Sequence, residues 1–203
     1  MIRATSLFCF CLAGSFWVTE GNPSAILNLN FDERTQDGIP VNWYTGGGFD
    51  TLSRQFLSDS ASGFSVTLDS TVVQNGKYSL LIQTLPGGSW GSAREDCIEY
   101  FDTLLKNLRG KTVTFSGWIR TENISKWAGL WWTVDGPHGT IAYKNMYDKA
   151  TGGTRDWQKY SFSLPISDSA TSIDFGVNMN SSGGGKVWFD NLEIDTNGVA
   201  YAK

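Results

Sequence analysis

Between Val113 and Asp135 apolar side chains recur at every second position in two successive runs, a period that a pleated strand satisfies and a helix does not. In VTFSGWIR, Val113, Phe115 and Ile119 fall on one side with Gly117 in line, and Thr114, Ser116, Trp118 and Arg120 fall on the other. In LWWTVD, Leu130, Trp132 and Val134 point one way while Trp131, Thr133 and Asp135 point the other. Two strands joined by a polar loop are expected, each with one face in a core. Their opposite faces carry hydroxyls, indoles and a guanidinium, a mixture that suits binding better than chemistry. Trp118 and Trp131 are expected to share that surface.

The same period recurs along the chain. Ile26 to Phe31 reads as a first strand ending at Asp32-Glu33, and Phe64 to Leu68, Tyr78 to Ile82, Tyr160 to Leu164, Ile173 to Asn180 and Lys186 to Ile194 read as further strands. Asn75-Gly76 supplies a tight turn. From Tyr44 to Gly63 a long Gly- and Ser-rich loop is expected, and Ile141 to Met146 is extended. Tyr100, Phe101, Leu104, Leu105 and Leu108 stand at helical spacing before Gly110, which predicts one short helix. With 203 residues the chain suits one domain, without an internal repeat. About ten short strands with so little helix predict an all-β fold of two antiparallel sheets packed face to face. Net charge is -4, with no basic stripe to neutralise phosphates, so nucleic acid is not an expected partner.

Residues 1–21 read as a leader and 22–203 as the sandwich domain. MIRATSLFCFCLAGSFW has an early Arg3, an apolar run from Leu7 to Ala13 and small residues where a signal peptidase would cut, which predicts a secreted or periplasmic protein. The run is too short to span a bilayer, for which about 20 apolar residues are needed, so no stable membrane insertion is expected once the leader is removed. An apolar N-terminal strand is the alternative. Loss of the leader leaves Cys97 alone, without a disulfide framework, and a buried structural thiol is the expectation there.

No catalytic residue is expected. Gly87-Gly88-Ser89-Trp90-Gly91 matches the nucleophile-elbow pattern and His138 follows it, but the elbow needs a strand, a sharp turn and a helix in a parallel sheet, and here glycines join two strands. Glu193-Ile194-Asp195 lacks the second glutamate of a glucanase pair, since Gly198 stands in its place. Binding is the stronger reading. Indole faces pack on the C–H face of a sugar, and planar side chains pair with its hydroxyls. Trp118 and Trp131 are the candidate platforms, with Arg120, Asp174, Asn178 and Asn180 as hydrogen-bonding groups. The plainer alternative is that both indoles belong to the core and the polar row is a solvated surface. Asp32, Glu33 and Asp190, at the ends of the first and last strands, are candidate ligands for a structural calcium ion together with backbone carbonyls; a salt bridge or simple solvation is the alternative.

LNLNFDERTQDGIPVNWY, NGKYSLLI, LRGKTVTFSGWIRTENIS, AGLWWTVDG, GTRDWQKYSFSLPI and KVWFDNLEI together resemble the galactose-binding-like jelly rolls that include many carbohydrate-binding modules. The likeness spans Leu27 to Ile194. GWIRTEN, AGLWW, Asn145-Met146, GTRDW and VWFDNLEI resemble in particular a bacterial subgroup found beside tail-specific serine peptidases and at the ends of some transcriptional regulators. The resemblance implies a non-catalytic jelly roll that binds an oligosaccharide or polysaccharide, with calcium at Asp32, Glu33 and Asp190. Its peptidase-linked members imply the alternative of an accessory domain for a protein or peptide, such as an envelope protein.

Overall fold

The computed structural model describes residues 27–45, 49–50, 55–56, 63–88, 90–95, 98–149, 151–196 and 199–202. Thirteen strands and one helix are assigned within them: β1 (Trp43–Thr45), β2 (Phe49–Asp50), β3 (Gln55–Phe56), β4 (Phe64–Asp69), β5 (Ser79–Thr84), β6 (Trp90–Glu95), α1 (Ile98–Leu108), β7 (Thr112–Ile124), β8 (Trp127–Gly136), β9 (Gly139–Asn145), β10 (Gly153–Pro165), β11 (Ser172–Asn180), β12 (Lys186–Thr196) and β13 (Val199–Ala202). A five-stranded sheet runs β1-β6-β11-β8-β9, and a six-stranded sheet runs β10-β7-β12-β5-β4 with β13 added against β12. Every pairing in the two sheets is antiparallel. The two-sheet β-sandwich expected from the alternation is the observed fold.

The period of two places the core. Val113, Phe115 and Ile119 of β7 and Leu130, Trp132 and Val134 of β8 are buried, as are Ile173, Phe175, Val177 and Met179 of β11 and Val187, Phe189, Leu192 and Ile194 of β12. Aromatic contacts tie the layers together. Trp132 stacks on Phe175 across the β8–β11 pair at 4.6 Å between centroids, and Phe115 of the opposing sheet meets both rings edge-on at 5.4 Å. Each such contact contributes roughly 1 kcal/mol beyond the area it buries. Helix α1 places Leu104, Leu105 and Leu108 in the same core and ends at Gly110, whose φ of 72° is left-handed and whose N–H donates to Ile166 O.

Two sequence expectations are corrected. No strand is assigned over residues 27–31, where a turn at 28–30 follows a helical Leu27: Asn28 and Phe31 take left-handed φ values of 47° and 58°, and the buried Asn28 side chain accepts from Glu33 N while donating to Glu33 O and Val41 O. The apolar alternation of Leu27, Leu29 and Phe31 is still spent on the core, where all three are fully buried. The second correction concerns β7 and β8. Though consecutive in the chain, they belong to different sheets, so their outer faces look away from each other. The leader, Ser89 and Cys97 lie outside the described residues. Among the described residues no helix is long and apolar enough to cross a membrane.

Candidate functional site

The outer face of the five-stranded sheet brings together four of the six expected binding residues. On β8 the outward positions are Trp127, Gly129, Trp131, Thr133 and Asp135, and on β11 they are Ser172, Asp174, Gly176, Asn178 and Asn180, because the residues between them are buried. The register sets Asp174 opposite Thr133, Gly176 opposite Trp131, Asn178 opposite Gly129 and Asn180 opposite Trp127. On the far side of β11, Ser92 of β6 stands opposite Asn178; on the far side of β8, Tyr143 and Asn145 of β9 stand opposite Thr133 and Trp131. Two glycines, Gly129 and Gly176, leave the middle of the face without side chains of its own strands. Met146 packs onto Gly129, where an added Cβ would meet its Cβ at 2.7 Å.

Among the described residues, Trp131 and Asn178 each bring to this face a buried polar atom without a hydrogen-bond partner. Trp131 Nε1 is a buried donor and Asn178 Oδ1 a buried acceptor, and neither has a hydrogen bond within the protein. Asn178 is only 5% exposed although it points away from the core. A screened polar group with no partner costs about 1–3 kcal/mol, so such atoms are uncommon outside sites with a further use. Trp132 Nε1 and Thr121 Oγ1 also lack partners, but both sit on the core side of their strands. Trp131 and Asn178 are diagonal neighbours across the β8–β11 pair, about 7–8 Å apart by strand geometry.

Trp118 and Arg120 are on the other side of the molecule. They project from β7 on the outer face of the six-stranded sheet, with Lys159 and Asp190 flanking Trp118 in the register and Trp188 opposite Arg120. Trp118 and Trp131 therefore cannot contact one ligand, and the expected shared surface does not form. The charges of this second face satisfy one another: Arg120 pairs with Asp156 at 2.9 Å, Lys159 with Glu193 at 2.9 Å and Lys186 with Glu122 at 3.9 Å. Trp188 Nε1 donates to Asp69 Oδ2. That is the solvated surface foreseen as the plainer alternative, and it applies to this sheet.

Sequence reasoning missed Trp127, Tyr143 and Tyr147. Trp127 is four residues before Trp131 with Gly129 between, so extending the period of two backward finds it. Its ring meets Tyr147 edge-on at 5.7 Å. Tyr143 was legible only as part of an extended segment, since its face depends on pairing with β8. His138 is exposed in the turn between β8 and β9.

Of the three expected calcium ligands, two converge. Asp190 is fully buried; its Oδ2 accepts from Gln74 N and Asn75 N, and its Oδ1 from Asn191 N. Asp32 Oδ1 accepts from Lys77 N and Tyr78 N, and its Oδ2 from Asn30 Nδ2. Burial pushes the Asp190 carboxyl up to about 6 against the pull of its three backbone donors, and the nearby charge of Asp32 adds to the rise. A carboxylate offers about four lone-pair sites. Each of the two therefore keeps an acceptor position. Glu33 does not join: it is exposed, and its backbone is held by Asn28. Among the described residues no three acidic, histidine or cysteine side chains converge on one point.

No family model matches the chain. The uncharacterized HTH-type transcriptional regulator YbfP of Bacillus subtilis (strain 168) is 28% identical over 138 residues, 65% of this chain and 43% of that protein, so the chain spans less than half the length of the curated relative it matches. Among solved structures, an arabinose-bound α-L-arabinofuranosidase superposes with a TM-score of 0.54 at 17% identity, covering 83% of this chain and 26% of that one. The endo-1,4-beta-D-xylanase 10B of Clostridium thermocellum, with its carbohydrate-binding and catalytic modules complexed with xylohexaose, gives 0.51 at 14% identity over 85% and 28% of the two chains. A family 16 carbohydrate-binding module gives 0.50 at 12% identity over 66% and 86%. The layered sheets, their strand order and these superpositions together give the chain a jelly-roll β-sandwich fold like that of the carbohydrate-binding module it superposes on.

Proposed function

We propose that the chain is a non-catalytic binding domain that holds an oligosaccharide or polysaccharide on the outer face of its five-stranded sheet. The observation that carries this is the unpartnered pair on that face, Trp131 Nε1 and Asn178 Oδ1. A sugar hydroxyl both accepts and donates, so neighbouring hydroxyls satisfy the indole N–H and the amide oxygen together, replacing screened and unsatisfied atoms with two hydrogen bonds. Asp174, Asn180, Thr133 and Ser92 surround the pair and supply further polar contacts. The opposite face, whose ions are already paired, has no comparable vacancy.

The chain is exported in this reading, its leader being residues 1–21. Calcium bound by Asp32 and Asp190 with backbone carbonyls stiffens the sandwich rim and takes no part in sugar contact. The test is binding of the chain to a panel of plant and bacterial polysaccharides, with Trp131→Phe and Asn178→Ala beside it. Trp131→Phe keeps an aromatic ring but removes the N–H together with the fused pyrrole ring; the expected result is a loss of about fivefold or more in affinity, with retained cooperative melting showing that the variant folds. Equal binding by both variants and the parent overturns the assignment of this face. A second reading is an accessory domain that engages a protein or peptide, such as an envelope protein. Failure of every glycan together with a specific protein partner on the same face supports it.

A further inference from the structure

The rings open to solvent on this face are tyrosines. Tyr143 is 56% exposed and Tyr147 is 71% exposed, whereas Trp127 is 5% exposed and the Trp131 N–H is screened. Only Ile39, Ile141, Tyr143 and Tyr147 are exposed large hydrophobic residues among the described ones, and the last three lie in β9 or just after it. The two tyrosines are organised by one side chain. Asn145 Nδ2 donates to the Tyr143 hydroxyl at 3.0 Å, and Asn145 Oδ1 accepts the Tyr147 N–H at 3.2 Å. Asn145 stands directly opposite Trp131, Tyr143 directly opposite Thr133, and Tyr147 against Trp127. Tyr143, Trp131, Trp127 and Tyr147 thus form an arc of rings around Asn145, at the margin of the surface that holds the unpartnered pair.

Resting on the sugar-binding reading above, we infer that Tyr143 and Tyr147 are the stacking platforms, with Asn145 as their positioning residue, and that the ligand is an extended oligosaccharide instead of a single sugar. Cross-strand neighbours lie about 5 Å apart and diagonal neighbours about 7–8 Å apart. An arc reaching across two strands from Tyr143 to Tyr147 is longer than one pyranose ring. A monosaccharide on Trp131 and Asn178 leaves both exposed tyrosines unused, while a chain of several units reaches them. Each tyrosine presents a ring face and keeps its polar end wet, which suits contact with a solvated chain at low ordering cost.

The experiment is calorimetric titration of the full chain with xylo-, cello- and malto-oligosaccharides from disaccharide to hexasaccharide, alongside Tyr143→Ala, Tyr147→Ala, Tyr143→Phe and Trp131→Phe. The expected result is affinity that rises about tenfold or more with length for at least one series, a drop of about fivefold for either alanine variant on the hexasaccharide, and little change for Tyr143→Phe, which retains the ring. Both alanine changes are at exposed positions, and unchanged thermal melting confirms that they fold. Length-independent affinity, or parental binding of the hexasaccharide by both alanine variants, overturns this inference; if Trp131→Phe is still impaired, the sugar-binding reading survives. Silence of the parent chain towards every series overturns both.

Discussion

Asp190 carries the largest electrostatic cost resolved in the fold. Its carboxyl is held up to about 6, above the ordinary 3.8, so between those values the folded chain binds a proton that the unfolded chain has released. Stability therefore falls as pH rises from about 4 to about 6 and levels off above, by on the order of 2–3 kcal/mol. Thermal melting in EDTA across that range should record the decline; a flat profile would mean that the carboxylate is solvated. Asp69 opposes it. Burial pushes its carboxyl up, but hydrogen bonds from Thr71, Trp188 and Val72 outweigh this and leave it lowered, so its contribution is present above its ordinary value and lost at lower pH. Calcium should raise the melting temperature most above pH 6, where Asp190 is ionised, and EDTA should reverse the gain. The opposite loop has a stricter requirement. Gly76 has a φ of 79°, and a Cβ there would sit 2.6 Å from Oδ2 of Asp32, a carboxylate whose Oδ1 accepts from two backbone donors. Gly76→Ala should cost about 1–3 kcal/mol in urea unfolding. At this scale the sequence was legible where the alternation alone decides burial, as with Phe115, Trp132 and Phe175. It was illegible where the role is relational: Glu33 looks as good a ligand as Asp32, and only the turn at residues 28–30 turns its side chain outward.

Strand β8 is completed by side chains where β9 ends. Thr151 Oγ1 accepts from Ala128 N and donates to Ala128 O, and Met146 Sδ accepts from Leu130 N, so two side chains stand in for ladder partners beside Gly129. Thr151 is 1% exposed. Thr151→Val keeps the shape and deletes both bonds to Ala128, and the expected cost is about 2–4 kcal/mol because a buried N–H and C=O are both left unpaired. Denaturant unfolding measures it, and faster amide exchange at Ala128 localises it. The elements themselves were written plainly: β7, β8, β11 and β12 follow the alternation of the chain, and α1 follows its leucine spacing. Their partners were not. A period of two tells which side chains of β7 share a face, but it is the same whether β7 pairs with β8 or with β10 and β12. That is why Trp118 and Trp131, each correctly turned outward, were assigned to one surface while standing on opposite sheets.

At the scale of the molecule two of the four edges of the two larger sheets, β9 and β10, are blunted. On β9 the register sets Lys144 opposite the buried Trp132, so a charge occupies a core-side position of the edge strand, and a register shift interrupts the pairing between Val134 and Asp135. On β10 two shifts fall between Gly153 and Gln158. Charges and bulges of this kind oppose edge-to-edge pairing. The chain should sediment as a monomer, and Lys144→Val should introduce concentration-dependent association; association of the parent chain through β9 would contradict this. The strand order has a further effect, on the chain as it is made. Strand β11 is the middle of the five-stranded sheet and β12 the middle of the six-stranded one, yet they are among the last strands in the sequence. Neither sheet closes until the ribosome has delivered almost the whole domain. A product that stops before Ser172 lacks the central strand of both sheets and should be digested faster by added protease than the chain through β12. The topology thus ties the outer face of the five-stranded sheet, whose Asn178 arrives on β11, to delivery of the strands that close both layers.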